Sequence, residues 1–385
     1  MNKIIILYTE AGSGHKSAAL ALRKIILQKT SWQVTLVNPF KEIAPNFDLL
    51  KKISNLSCED VYNRFVSKRE APLFSLLVIS ALFKINIIFY QQHLIKVFAK
   101  YWCATQADMV ISVMPFINDV LAKSLKLSTP STPFVTVITD YSECIKDIWF
   151  KSKDQLLICP SKKLVEQAEA KGHPKHNIFL NSGMIVSPEF YNLNILDIKL
   201  SRLERGLQAE LPTGLVMFGG YGSRAMLKIA KNMNHSQYGV QLIFICGHNL
   251  QLKQDLEKLE LRYPALILGF VEDTQNYMAI SDFFVGKPGG LSISEASIMK
   301  LPIIVQANIF TLLQEKYNAK WLKQKNIGIC IRNFTRISQV VKNLLKNKHE
   351  YNNSYLTIEN RAIFEMPEVL ATIFNKKISQ YNKTA

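Results

Sequence analysis

The chain has 385 residues, of which 48% are apolar and 20% charged, with 16 Gly and 14 Pro. At about 150 residues per domain, that bounds it to two or three domains with sizeable cores and excludes a disordered, collagen-like or low-complexity chain. Lys and Arg outnumber Asp and Glu by 47 to 30, a formal charge of +17 that favours an anionic partner: nucleic acid, an acidic membrane surface or a phosphorylated small molecule.

The first ten residues read as a strand with no A-x-A cleavage site after it, so no signal peptide is expected. From there, short β-branched runs alternate with helix-like segments. The runs are KIIILYT (3–9), QVTLVN (33–38), DMVISVM (108–114), FVTVIT (134–139), QLLIC (155–159) and IFLNSG (178–183), then GLVMFG (214–219), VQLIFIC (240–246), ALILGFV (265–271), DFFVG (282–286), PIIVQA (302–307) and GICI (328–331). Continuous apolar strands between helices indicate parallel sheets covered on both faces. Twelve exceed one ordinary sheet, so the fold class is α/β, with two doubly wound Rossmann-like domains. The boundary falls near 185–213, a polar stretch without a strong strand. Residues 352–377 read as a helical tail that could cross back onto the first domain. The six cysteines, Cys58, Cys103, Cys144, Cys159, Cys246 and Cys330, are scattered without a CxxC pair. This argues against a zinc site or disulfide scaffold and suits a reducing cytoplasm.

Four segments could carry chemistry. TEAGSGHKSAA (9–19) follows the first strand and opens a helix. Gly12 and Gly14 let the backbone turn and let a ligand approach. His15 has an ordinary pKa of about 6.5, suited to taking a proton near neutrality. Asp140 ends a later strand at the same carboxyl edge. The plainer reading is a phosphate-binding loop in which the histidine is incidental. FGGYGSR (218–224) is a glycine turn before a helix, neither a Walker loop nor a clean G-x-G-x-x-G. It also fits an ordinary βα turn. GKPGGLSISEA (286–296) ends a strand, bares the backbone at Gly289 and Gly290 and starts a helix, a geometry that can hold a diphosphate on N–H groups. Glu295, one turn on, could accept from two sugar hydroxyls or cap the helix. Gln314 and Glu315, with Asn318 one turn later, suit hydroxyl recognition or a solvated helix face. There is no Asp-x-Asp and no His/Asp metal cluster, so no metal site is expected; His173 and His176 read as loop residues.

Residues 61–107 mix Leu73, Phe74, Ile87, Ile88, Phe89, Tyr90 and Trp102 with Arg64, Lys68, Arg69, Lys84, Lys96 and Lys100, against Glu70 alone. That composition fits an interfacial membrane element, or a core helix pair. The longest apolar stretch, 71–83, is too short for the ~20 residues that span a bilayer. Nucleic acid is not expected as the partner, since no RNP, zinc-finger or helix-turn-helix signature is present.

In this order the segments resemble the monogalactosyldiacylglycerol synthase and processive diacylglycerol glucosyltransferase type of glycolipid synthase, and more distantly the GlcNAc transferase of the peptidoglycan lipid intermediate. The likeness runs through GSGHKSAALAL, DMVISVMPF, FVTVITDYSECIKDIWF, CPSKKLVEQAEAKG and SGMIVSPEF, then VMFGGYGS, LIFICGHN, LILGFVEDTQNYMAISDFFVGKPGGLSISEA, LPIIV and QEKYNAKWL. It implies a GT-B fold with an interdomain cleft: residues 1–190, rejoined by 352–385, face the acceptor and the membrane, and residues 191–351 bind the donor. The implied reaction is an inverting, metal-independent hexosyl transfer from a UDP-sugar to a lipid, with no cofactor, peripheral on the cytoplasmic face of a membrane. His15 then matches the general base, with Gly12, Gly14 and Asp140 on the acceptor side. Gly219, Gly220 and Ser223 match the donor loop. Gly247, His248, Asn249, Phe270 and Val271 match the uracil pocket. Gly289, Gly290, Leu291 and Ser292 match the diphosphate cradle, Glu295 the ribose contact, and Gln314 and Glu315 the sugar contact. Residues 61–107 match the lipid-facing part, an anionic membrane surface being their partner. Two departures stand out: Leu312-Leu313 where Pro-Gly is usual, and Lys146–Phe150 (KDIWF) where many relatives carry a histidine. A UDP-sugar epimerase or hydrolase on this architecture, and a non-catalytic anion-binding protein, are the competing readings.

Overall fold

A computed structural model of the chain describes residues 2–47, 57, 59–61, 73–193, 195, 197–236, 238–309 and 311–381, with the backbone alone for 73–82 and 376–381. The chain forms two compact units. The first comprises Met1–Tyr62, Leu76–Pro188 and Asn360–Ala385; the second is built on Glu189–Glu359.

The first unit holds a six-stranded parallel sheet of β1 (Lys3–Leu7), β2 (Gln33–Val37), β3 (Met109–Ser112), β4 (Phe134–Val137), β5 (Leu156–Cys159) and β6 (Ile178–Leu180), in the order β2-β1-β3-β4-β5-β6. The burial of each strand follows from its place. β3 and β4 are buried at every residue because helices cover both faces, whereas edge strand β2 alternates and β6 stays half-open. Strand order reverses between β1 and β3, which opens a crevice at their carboxyl ends where α/β sheets bind ligands. Leu94, Phe98 and Trp102, on the helix Leu73–Thr105, fill the core against Ile5, Leu7 and Val110. The Trp102 indole N–H donates to Ser124 Oγ at 2.8 Å, so its one polar atom is satisfied in that core.

The second unit repeats the plan with β7 (Thr213–Met217), β8 (Gln241–Ile245), β9 (Ala265–Leu268), β10 (Phe283–Gly286), β11 (Ile303–Gln306) and β12 (Gly328–Ile331), ordered β12-β11-β10-β7-β8-β9. Its reversal lies between β7 and β10, both buried along their length.

The expected tail differs from what is observed. Residues 352–377 are not one helix: Lys348–Tyr355 and Ala362–Tyr381 are separate. Tyr355 is buried and donates to Leu301 O and Ile327 O, which ties 352–355 to the second unit. The chain joins the first unit at Asn360, whose amide donates to Met184 O at 3.0 Å, and Phe374 then meets Trp32 edge to face.

Candidate active site

In the first unit the helix Ser13–Lys29 starts just beyond β1, at the reversal point. Its N-cap, Gly12, sits at φ 76°, a region that favours glycine, and no side chain caps the helix. The first-turn amides are therefore without intrahelical partners. A Cβ on Gly14 would meet nothing within 4 Å, so space is open beside the loop.

His15 projects from that turn and is fixed from behind. Its Nδ1 lies 2.9 Å from Val113 O, just past β3, and 2.9 Å from Thr139 Oγ1, just past β4. A carbonyl only accepts, so Nδ1 carries the proton and Nε2 keeps its lone pair. Burial, opposed by the weaker effect of the Val113 hydrogen bond, pulls the imidazole down to about 4, so the ring is neutral at physiological pH. An oriented imidazole with one basic nitrogen can take a proton from a hydroxyl.

The surroundings rigidify this placement. Asp140 accepts from the Trp149 indole N–H at 2.9 Å, and the Trp149 ring lies 6.4 Å from the His15 ring. Glu143, buried, accepts from the backbone N–H of Trp149 at 2.9 Å and pairs with Lys171 at 2.9 Å. Phe116, three residues past Val113, is held at φ 73° with its N–H on Ile148 O at 2.8 Å. A left-handed phenylalanine costs on the order of 1–3 kcal/mol and persists only where its neighbours over-determine it. On the other side of the loop Glu59 accepts from Thr9 Oγ1 at 2.5 Å, Glu10 N at 2.8 Å and Asn38 Nδ2 at 3.2 Å. Glu10 in turn pairs with Lys16 and Lys41.

In the second unit three loops meet at the carboxyl edge. Gly219 and Gly222 carry the loop after β7 at φ 80° and 60°. Gly247, after β8, has φ 62°, and a Cβ there would lie 2.1 Å from Gly220 O; the close approach lets His248 N donate to that oxygen at 2.8 Å. The exposed His248 ring stacks on Phe270 at 4.1 Å and 14°, with Tyr221 at 5.8 Å. This is a platform on which a planar base can stack. Val271 beside it is part-buried. Past β10, Gly289 is the N-cap of the helix Gly290–Ile298, again with no side-chain cap, so the amides of Gly290, Leu291 and Ser292 are free of helical partners. Glu295 is 9% exposed and no described residue hydrogen-bonds its carboxylate; burial raises its pKa to about 8. Glu315, also buried, pairs with Lys287 at 3.1 Å, and Asn318 donates to Pro288 O at 3.0 Å.

Residues 15–184 match the monogalactosyldiacylglycerol (MGDG) synthase family and residues 215–373 the glycosyltransferase family 28 C-terminal domain. Monogalactosyldiacylglycerol synthase 1, chloroplastic, of Arabidopsis thaliana is 27% identical over 358 residues, covering 88% of this chain and 64% of that protein. Monogalactosyldiacylglycerol synthase 3 of the same plant is 27% identical over 369 residues, covering 90% and 75%. The first part of the chain is thus similar to the MGDG synthases and the second to the glycosyltransferase family 28 C-terminal domain. The chain spans 64% of the length of the Arabidopsis synthase 1. Among solved structures, MurG of Acinetobacter baumannii aligns with TM-score 0.58 at 11% identity, covering 97% of this chain and 100% of its own. The S. aureus MnaA–UDP complex aligns with TM-score 0.62 at 12% identity, covering 97% of each chain. These two share the GT-B fold, two Rossmann-like halves.

The predicted residues gather at two sheet edges: Gly12, Gly14, His15 and Asp140 in the first unit, the donor-side residues in the second. Two of them also brace the loops they sit on. Ser223 is buried and its Oγ accepts from Ala225 N, and Asn249 caps the helix Leu250–Glu257 and donates to Tyr221 O. Both hold loops in shape. Sequence reasoning assigned no individual role to Thr139, Trp149, Glu143, Lys287 or Glu59. Thr139 adjoins Asp140 and Lys287 lies within the segment 286–296, so both were within reach of the sequence; Glu59 lies in a stretch with no periodic signal. The described part of the segment 61–107 divides between the core and the interfacial readings. Residues 62–72 lie outside the described residues, as do the side chains of 73–82. Of the remainder, Ile87 and Trp102 are core, while Ile85, Ile88 and Phe89 share one exposed face, Phe89 at 82%. No described helix is long and apolar enough to cross a membrane.

Proposed function

We propose that this protein transfers a hexose from a UDP-sugar to the hydroxyl of a membrane lipid, with inversion at the anomeric carbon and without a bound metal ion. The observation that carries this reading is His15: Nδ1 pinned on Val113 and Thr139, Nε2 left basic, the ring neutral. The lipid hydroxyl donates to Nε2. Its oxygen attacks the anomeric carbon on the face opposite the diphosphate, its proton passes to Nε2, and the bond to UDP breaks with the electron pair leaving on the β-phosphate. A positioned base of this kind typically accelerates the step by about 10²–10⁴-fold.

On the donor side, uracil stacks at His248 and Phe270 and the ribose hydroxyls donate to Glu295. The diphosphate takes the amides of Gly290, Leu291 and Ser292, where fixed dipoles meet the charge that grows on the leaving group. Gln314 and Glu315 receive the sugar. The names of the curated relatives favour galactose as the hexose and diacylglycerol as the acceptor. The exposed Ile85, Ile88 and Phe89 face would rest in an anionic bilayer, with the net charge of +17 holding the protein there as a peripheral enzyme on a cytoplasmic membrane face.

The test is product analysis. The purified protein is incubated with diacylglycerol vesicles and a panel of UDP-sugars, and lipids are read by mass spectrometry and NMR. One UDP-hexose should give a lipid carrying one hexose in the inverted anomeric form. Retained configuration, or free sugar or epimer formed equally fast without lipid, would refute the reading.

A further inference from the structure

The helix Gly290–Ile298 and the residues from Gln314 onward account for the donor's ribose, diphosphate and sugar, but not for Lys287. This lysine leaves the end of β10, and its stem folds over the cradle: a Cβ on Gly289 would lie 3.5 Å from Lys287 Cε and 3.9 Å from its Cγ. Its ammonium ends 3.1 Å from Glu315 Oε1. Glu315 is 7% exposed, and Lys287 is its one described cationic partner. The same loop is tied to the same helix a second time, by Asn318 on Pro288 O. The two anchors therefore differ in kind: Asn318 holds backbone, whereas Lys287 is a charge on a flexible four-carbon stem.

We propose that Lys287 is a further donor-binding residue that exchanges partners. Resting on the donor-site reading above, this inference specifies how two parts of that site are linked. In the free protein the ammonium is parked on Glu315. A diphosphate seated on the amides past Gly289 brings two or more negative charges next to the lysine stem, and these compete with the single charge of Glu315. As the ammonium moves to the diphosphate, Glu315 is left a buried carboxylate with an open oxygen. Such a group is costly unless a donor replaces the lost one. A sugar hydroxyl is that donor, and UDP without sugar has none. The exchange thus links recognition of the diphosphate to recognition of the hexose and favours intact UDP-sugar over the UDP product.

The experiment is calorimetry on the full chain with uridine, UDP and UDP-galactose, for the parent protein and for Lys287→Met, Lys287→Arg and Glu315→Gln. Lys287→Met should weaken UDP about tenfold or more and leave uridine within twofold, which also shows that the unit is folded; Lys287→Arg should recover most of the loss. Glu315→Gln should bind UDP about threefold or more tighter, because the lysine is no longer held, while losing much of the preference for UDP-galactose over UDP. A merely structural ion pair gives the opposite sign, since breaking it loosens the loop and weakens UDP. Unchanged UDP binding by Lys287→Met, or weaker UDP binding by Glu315→Gln, would overturn the proposal while leaving the donor site standing. Should Lys287→Met fail to fold, the sign of the Glu315→Gln effect decides. A parent protein that binds no uridine nucleotide would overturn the donor-site reading itself, and the exchange with it.

Discussion

Glu295 is a carboxylic acid held out of water with no hydrogen-bond donor among the described residues, and burial favours its neutral form and raises its pKa to about 8. Two ribose hydroxyls arriving as donors favour the ionised form instead, so nucleotide binding should expel a proton near neutral pH. The sign follows from linkage: affinity rises with pH until the free carboxyl has ionised, then levels above about 8. Calorimetry at pH 7 in buffers of different ionisation enthalpy should show net proton release, and Glu295→Gln should abolish it. In the free protein the same shift works against folding. Between its ordinary value and about 8 the native state holds a proton that the unfolded chain gives up, so stability falls as pH rises through that window and Glu295→Gln should remove the slope. His15 shifts the other way, down to about 4, and stays a base across the neutral range. The acid limb of kcat/KM due to His15 should therefore lie well below its ordinary value of about 6.5.

At the scale of elements, each of the two candidate site edges sits on a short loop braced by residues distant in sequence. Glu59 gathers Thr9, the Glu10 amide and Asn38 beneath the His15 loop. Glu59→Gln keeps the volume but replaces one acceptor oxygen by a donor that faces other donors, so the loop should shift. Turnover is expected to fall roughly ten- to hundredfold, as for a base displaced by about 1 Å, with KM for the donor unchanged. An equal loss in kcat and in donor affinity would contradict the positioning role. Gly247→Ala is expected to be severe, because its φ is positive and a methyl would meet Gly220 O at 2.1 Å. Uridine binding should be lost and stability should drop by about 1–3 kcal/mol, measurable in a denaturant titration. All twelve strands were legible as β-branched runs, and the paired segments are shorter than most of those runs. β1 stops at Leu7 and leaves Tyr8 and Thr9 outside, and β4 stops at Val137 and leaves Ile138 and Thr139 outside. Those overhangs form the carboxyl edge of the sheet: apolar enough to extend the pattern, yet placed to aim side chains such as Thr139. The glycine turns were equally legible, since few other residues tolerate such φ values. The braces were not, because Glu59 and Lys287 are ordinary charged residues whose partners are set only by tertiary packing.

For the whole molecule, a net charge of +17 and an exposed apolar face suit a bilayer surface in combination. Phe89→Asp places a charge at the most exposed ring of that face. Co-sedimentation with anionic vesicles should fall about tenfold or more, while UDP binding stays unchanged. Retained vesicle binding would move the membrane contact elsewhere on the chain. The composition of 61–107 fitted an interface or a core helix pair, and among its described residues Ile87, Phe98 and Trp102 serve the first unit's core. Hydrophobic composition alone does not tell the two faces of one helix apart; the fold does. The proposed hexosyl transfer rests on the single basic nitrogen of His15, so the most direct measurement compares the parent protein with His15→Ala in glycolipid formation from UDP-hexose and diacylglycerol vesicles, alongside UDP affinity. Turnover should fall by about 10²–10⁴-fold with UDP affinity within threefold of the parent. Activity within tenfold of the parent, with UDP still bound, would contradict the assignment of His15 as the base.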